Sequence, residues 1–249
     1  MTAYKVVVIV PTFNEVQNIE QTINVLRNLA ATIQPHTLEV LVVDSGSPDG
    51  TALVVKDLCL EWLGLHLLLE PERSGLGGAY LFGMRYAIDA LKADVLISFD
   101  ADLSHDATRI PLMLEQIQVG YDLVVASRYK DTALSSDWVW YRQLFSKVSN
   151  RFFCWILDYP QITDWTGGFR AYRAEVFLQL EPMLQPYKTY AFQLAFLHQA
   201  LLMGKQAVEL PFTFVDRKQG QSKISLRDTW GFCAYTLRYL YRKHLKNEP

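Results

Sequence analysis

The chain has 249 residues, 50% of them hydrophobic, 20% charged and 13% aromatic, which suffices for one large core and argues against general disorder. The formal net charge of -2 conceals an uneven distribution, because Asp216 to Pro249 holds eight Lys and Arg against three Asp and Glu on an otherwise acidic chain. Cys59, Cys154 and Cys233 are too few and too scattered for a disulfide framework or a zinc site, so a reducing compartment is expected.

No basic region followed by a signal-type helix opens the chain, which runs from Tyr4 into an apolar stretch. The longest run without Asp, Glu, Lys or Arg, Thr189 to Gly204, falls short of the roughly 20 apolar residues of a spanning helix. No transmembrane segment is expected.

Short apolar runs at Lys5 to Val10, Leu38 to Val43, Leu65 to Leu69, Val95 to Phe99 and Leu123 to Ala126 read as strands. Helix-period segments alternate with them, as with Ile19, Ile23 and Leu26. This order predicts an α/β fold with a mostly parallel, doubly wound sheet flanked by helices. Ligands of such sheets sit beyond the carboxyl ends of the strands. After Arg128 the alternation stops. A helix dense in aromatics is expected over Trp138 to Leu157, a turn at Gly167 and Gly168, a helix near Thr189 to Met203, a strand over Ala207 to Phe214 and a final helix over Leu226 to Leu245. The expected organisation is one domain over 1–225 followed by a basic amphipathic helix within 226–249, packed on the domain or on a membrane surface.

Three strand ends carry polar groups. The first stops at Pro11-Thr12-Phe13-Asn14-Glu15, where Asn14 can cap the next helix, and the second at Asp44 before a turn-rich loop. The fourth ends in Asp100-Ala101-Asp102. Two carboxylates spaced i and i+2 after a buried strand repel one another unless a cation intervenes, and hard oxygen ligands suit Mg²⁺ or Mn²⁺. No Gly-x-Gly-x-x-Gly follows the first strand and no Gly-Lys-Ser/Thr occurs, so dinucleotide and P-loop readings lose support.

Together with Gly75-Leu76-Gly77 and Asp100-Ala101-Asp102-Leu103-Ser104-His105, these elements resemble family 2 glycosyltransferases of the GT-A (Rossmann-like) fold, and more narrowly polyprenol-phosphate (dolichol-phosphate) mannosyltransferases. The second half adds Ser127-Arg128-Tyr129, Arg142 with Ser146, Asn150, Thr166 to Arg173 and Phe214 to Lys223. The resemblance implies that Pro11, Phe13, Glu15, Val42 and Asp44 contact the nucleoside of a nucleotide sugar. It further implies that Asp100, Ala101, Asp102 and Ser104 hold the diphosphate and a metal ion, Mg²⁺ or Mn²⁺, with Arg217 and Lys223 closing over the phosphates. Arg128, Arg142 and Ser146 would receive the lipid phosphate, so that Asp102, Arg128 and Arg142 are the expected catalytic residues. Two positions depart from the family pattern: Ser45 stands where a second Asp is usual, and Ala195 where related sequences tend to carry Glu.

The expected reaction is an inverting transfer of mannose from GDP-mannose to dolichyl or polyprenyl phosphate, giving a polyprenyl-phosphate β-mannose, at the cytosolic face of a membrane. A phosphomonoester with its second pKa near about 6 is largely dianionic at neutral pH, so it attacks without a general base and requires aligned cations instead. Arg128 suits that task, and on a helix Arg142 and Ser146 share one face. The alternatives are transfer from a UDP-sugar to the same acceptor, a non-catalytic nucleotide-sugar-binding subunit, and transfer to a soluble alcohol with Asp164 or Glu175 as base. A small membrane-anchoring subunit is a candidate partner. The basic end suits nucleic acid by charge alone and lacks any reading motif.

Overall fold

The computed structural model describes residues 2–130, 140–213 and 226–245. In its first half β1 (Lys5–Thr12), α1 (Ile19–Ala30), β2 (Thr37–Asp44), α2 (Thr51–Glu61), β3 (Leu65–Leu69), α3 (Leu76–Asp89), β4 (Val95–Ser98), α4 (Ile110–Val119) and β5 (Leu123–Ser127) alternate as the hydrophobic pattern predicts. There follow α5 (Trp140–Leu157), β6 (Arg170–Arg173), α6 (Ala174–Leu184), α7 (Ala191–Leu202), β7 (Ala207–Pro211) and α8 (Leu226–Leu245).

One seven-stranded sheet runs in the order β3-β2-β1-β4-β6-β5-β7. β1 to β4 are parallel, as are β5 and β7, while β6 lies antiparallel between β4 and β5. Successive strand residues point to opposite faces, so each strand feeds two cores. Val7, Ile9, Leu41, Val43, Leu96 and Val125 face α3, α6 and α7. Val6, Val8, Val40, Val42, Ile97 and Val124 face α1 and α4. Burial on both faces explains why the strands read as continuous apolar runs.

The sequence reading passes over β6 and α6, going from the Gly167-Gly168 turn straight to a helix near Thr189. β6 is only four residues long and holds two arginines, which no apolar-run criterion selects. Arg170 is nevertheless fully buried, because its guanidinium donates to the main-chain carbonyls of Trp165 at 2.9 Å and of Gln193. In α6 Val176, Phe177, Leu180 and Leu184 are buried at helical spacing. β7 ends at Pro211, and the rest of the strand expected to Phe214 reaches residues outside those described.

α8 packs against α7 and the segment that leads into it. Tyr235 is 2% exposed in the same core as the strands, and Gly231 lies so close to Thr189 that a Cβ there would come within 2.6 Å of its Oγ1.

Candidate active site

The strand register brings the polar ends together. Thr12 pairs with Asp44 across β1 and β2, Ile9 pairs with Ser98 across β1 and β4, and Ser98 pairs with Arg170 where β6 enters the sheet. Asp44, Asp100 and Arg128 therefore lie along one edge, beyond the carboxyl ends of β2, β4 and β5.

At the β1 and β2 ends, Asp44 is 1% exposed. It accepts hydrogen bonds from Thr12 Oγ1 at 2.9 Å, from the Ser47 N–H at 2.9 Å and from Ser47 Oγ at 2.5 Å. These bonds close the 44–47 turn. Ser47 Oγ in turn receives the Asn14 N–H at 2.9 Å, which ties this turn to the Pro11-to-Glu15 loop, where Asn14 has φ 57°. Glu15 accepts from Asn18 Nδ2, and its N–H donates to Thr51 Oγ1 at 2.9 Å. Phe13 is half-buried with the Arg73 guanidinium 3.5 Å from its ring centre. Val42 is fully buried in the core beneath the loop, and Pro11 is half-buried at the strand end. Ser45, the first departure, donates to Glu70 at 2.7 Å.

The Asp100-to-His105 loop is organised from below. The Asp100 N–H donates to His105 Nδ1 at 3.0 Å, which leaves the ring proton on Nε2, 3.5 Å from Asp100 Oδ2. Burial holds the His105 pKa below its ordinary value against the pull of Asp100 and Asp102, so the ring is neutral. It stacks on Phe169 and meets Phe99 and Phe212 edge-on. Asp102 accepts the Ser104 N–H at 3.1 Å, and the Ala101 carbonyl accepts Thr22 Oγ1 at 2.8 Å, anchoring the loop to α1. Gly168 lies under Asp100, where even a Cβ would stand 3.6 Å from the carboxylate. Tyr80, fully buried and with its pKa pushed up by that burial, keeps its proton and points it at Asp100 Oδ1 at 3.5 Å.

A hard divalent cation fits this donor set. The Asp100 side chain remains about a third exposed at 37%, Asp102 is buried two residues on, and the buried Ser104 Oγ has no hydrogen-bond partner among the described residues. An ion that takes one or two carboxylates and completes its shell with water and phosphate oxygens matches such a set.

A second polar cluster is built around Arg128 at the end of β5. Arg128 forms a two-pronged ion pair with Asp164, Nε to Oδ2 at 2.8 Å and Nη2 to Oδ1 at 2.7 Å, and its main-chain N–H also reaches Oδ2. Asp164 is completely buried and accepts the Gly167 N–H as well. Burial pushes its carboxyl up, but Arg128 more than offsets this and holds it below the usual carboxylate range; the same pair raises the guanidinium. Thr166 Oγ1 links Arg128 Nη2 at 2.9 Å to Asn150 Nδ2 at 3.2 Å. Asn150 also donates to the Ser146 carbonyl, and Tyr129 hydrogen-bonds Ser146 through their hydroxyls. The structure thus brings Arg128 and Ser146 into one network. Arg142 lies one helical turn before Ser146 on α5, its side chain outside the described residues, as are Arg217, Lys223 and the start of the aromatic segment at Trp138.

Neither base suggested by the sequence stands ready at this cluster. Asp164 is paired with Arg128, and Glu175 begins α6 beyond the opposite edge of the sheet, next to Ala174, whose N–H donates to the Asp94 carbonyl before β4. Sequence reading missed Glu209, which is 4% exposed on β7 and accepts the Thr163 N–H at 2.9 Å, Thr163 Oγ1 at 2.7 Å and the Asp164 N–H at 2.7 Å. It fixes the turn that presents Asp164 to Arg128. Because Glu209 lies 45 positions after Asp164, nothing in the local pattern of either announces the pairing.

Residues 7–180 match the family described as Glycosyl transferase family 2. The chain is 35% identical over 227 residues to an undecaprenyl-phosphate mannosyltransferase of Micrococcus luteus, covering 89% of this chain and 88% of that one. It is also 35% identical over 222 residues to the polyprenol monophosphomannose synthase of Mycolicibacterium smegmatis, covering 89% and 81%. Among solved structures, glucosyl-3-phosphoglycerate synthase from Mycobacterium tuberculosis in complex with Mn²⁺, uridine diphosphate and phosphoglyceric acid superposes with a TM-score of 0.66 at 15% identity, over 96% of this chain and 78% of that one. Mannosyl-3-phosphoglycerate synthase from Rubrobacter xylanophilus gives 0.60 at 16%, over 96% and 74%, and both show the same fold. The chain belongs to glycosyl transferase family 2 and is a glycosyltransferase with a GT-A-like fold.

Proposed function

We propose that this enzyme transfers mannose from GDP-mannose to a polyprenyl phosphate, with inversion at the anomeric carbon and dependence on Mg²⁺ or Mn²⁺. The observation that carries the acceptor class is the state of the carboxylate paired with Arg128. Asp164 is buried and held ionised by Arg128, so it does not accept a proton from an alcohol. A phosphate dianion requires no base, and its charge suits a guanidinium held in a fixed plane.

Asp100 and Asp102 would hold the ion, with Ser104 beside them. When bound, a divalent ion supplies the positive charge that stabilises the departing diphosphate. The chain's own residues do the rest: His105 and Tyr80 orient Asp100, Arg128 and Ser146 receive the acceptor phosphate, and Arg142, Arg217 and Lys223 add charge at the acceptor and donor ends. The identity to named polyprenyl-phosphate mannosyltransferases over most of the chain supports the sugar and the acceptor.

Peripheral attachment to the cytosolic face of a membrane completes the reading. No described helix is long and apolar enough to cross a membrane. Leu144, Val148, Phe152 and Trp155 are exposed along one side of α5, and Trp230, Leu237 and Tyr241 along one side of α8, a helix whose Arg238, Arg242 and Lys243 are also exposed. Such a surface favours an anionic bilayer, either alone or beside a small anchoring subunit.

The test is a transfer assay with purified protein, undecaprenyl or dolichyl phosphate, Mg²⁺ or Mn²⁺, and GDP-mannose or UDP-glucose as donor. A mannolipid from GDP-mannose that disappears on chelation is the expected result. A glucolipid from UDP-glucose alone overturns the donor, and no lipid product from any nucleotide sugar overturns the acceptor as well.

A further inference from the structure

We propose that Glu70, rather than Asp44, is the carboxylate that reads the donor's nucleobase, and that it selects guanine over uracil. This rests on the nucleotide-sugar reading above.

Asp44 is poorly placed to meet a ligand. It is 1% exposed, and three donors from Thr12 and Ser47 occupy its two oxygens. A carboxylate offers about four lone-pair sites, so little acceptor capacity remains, and what remains faces protein. Asp44 holds the loop that the nucleoside would lie on.

Glu70 follows β3 directly and sits beside Asp44, since its N–H donates to the Asp44 carbonyl at 2.9 Å. It is only half-buried. Ser45 Oγ donates to its Oε2 at 2.7 Å and Ser74 Oγ donates to its Oε1, so the carboxylate is held at both ends with lone pairs to spare. The same 70–75 loop carries Arg73, whose guanidinium lies on the Phe13 ring. The Phe13 ring and the oriented carboxylate are thus joined through one loop. Ser45, which departs from the family's usual second Asp, acquires a purpose: it brings in a carboxylate from the neighbouring strand, where an aspartate at the same position would repel it.

A fixed carboxylate discriminates between bases by their donor pattern. Guanine presents two adjacent N–H donors, N1–H and the N2 amino group, that match two carboxylate oxygens in a charge-assisted pair. Uracil presents one N–H between two carbonyl oxygens, which a carboxylate repels. Ribose is common to both nucleotides, so a change in the ratio of their affinities reports on the base alone.

The test is calorimetric titration of GDP and of UDP, with Mg²⁺ present, into the wild-type protein and into the Glu70→Gln and Ser45→Ala variants. Wild type should bind GDP more tightly than UDP. Glu70→Gln should weaken GDP at least tenfold and leave UDP within twofold, and Ser45→Ala should weaken GDP by a smaller factor. Unchanged GDP binding in Glu70→Gln, equal weakening of both nucleotides, or a wild-type preference for UDP each overturns the proposal. Wild-type mannolipid synthesis is scored separately, so a transferase that fails the titration loses the role of Glu70 and keeps its activity.

Discussion

Ser104 Oγ has no hydrogen-bond partner among the described residues, and a buried hydroxyl left unpaired normally lowers stability by about 1–3 kcal/mol. If that oxygen waits for the metal or the diphosphate, Ser104→Ala should leave the thermal midpoint unchanged or raise it. The same variant should then require several-fold more Mg²⁺ for half-maximal transfer. A fall in the midpoint with an unaltered Mg²⁺ requirement would make the hydroxyl structural. Asp102 differs, since on the proposed reading it would hold the divalent ion: Asp102→Asn keeps the shape and should lower kcat at least about 100-fold, through loss of the cation that would stabilise the departing diphosphate. Arg128 and Asp164 form a third case. Asp164→Asn leaves a guanidinium uncompensated at a site where Asp164 has no exposure, which should destabilise the fold by about 3–5 kcal/mol. For a chain of this size that lowers the midpoint by on the order of 10 °C, and a shift below about 3 °C in a thermal melt would show that water reaches the pair.

The elements show where local sequence carries the argument and where it stops. α3 begins at Gly75-Leu76-Gly77-Gly78, and the chain at 187–189 presses on its first turn: the Gly77 N–H donates to the Lys188 carbonyl at 3.0 Å, and a Cβ on Gly77 would lie 2.3 Å from the Tyr187 carbonyl oxygen. Because the obstacle is backbone, Gly77→Ala should cost about 1–3 kcal/mol, measurable as a lower urea midpoint at unchanged slope. The motif was legible while the reason for its glycines was not, since residues over 100 positions away supply it. The same division holds elsewhere. β1, β2, β4 and β5 announce themselves because both faces of each are largely buried, β3 by its apolar run alone, and their carboxyl ends bring Asp44, Asp100 and Arg128 to one rim. β6 stays hidden because Arg170 is buried by hydrogen bonds to carbonyls, a compensation that no periodicity records. Asp164 reads as a free carboxylate until the turn fixed by Glu209 brings it to Arg128, 36 residues earlier in the chain.

At the scale of the whole molecule, α8 is joined to the catalytic body through a buried histidine. His198 on α7 accepts the Tyr235 hydroxyl proton at Nδ1 over 2.6 Å, and Gln199 donates to the same hydroxyl at 3.2 Å. The ring is enclosed edge-on by Tyr159, Trp165, Tyr235 and Tyr239. Its Nε2 has no hydrogen-bond partner among the described residues. Burial, with Lys243 nearby, lowers its pKa to about 4. In the unfolded chain the same group titrates near about 6.5. Below that value the unfolded state takes up a proton that the folded state refuses, so this contribution is fully present above pH 6.5 and is lost progressively as pH falls toward 4. Between pH 6.5 and pH 5 the loss amounts to about 2 kcal/mol, or roughly 4–8 °C in the thermal midpoint. His198→Phe removes the titrating group while Gln199 still serves the Tyr235 hydroxyl. The variant is expected to melt lower at pH 7.5 and to show a flatter decline of its midpoint from pH 6.5 to pH 5 than the wild type. Parallel declines in the two proteins would locate the acid sensitivity in other groups.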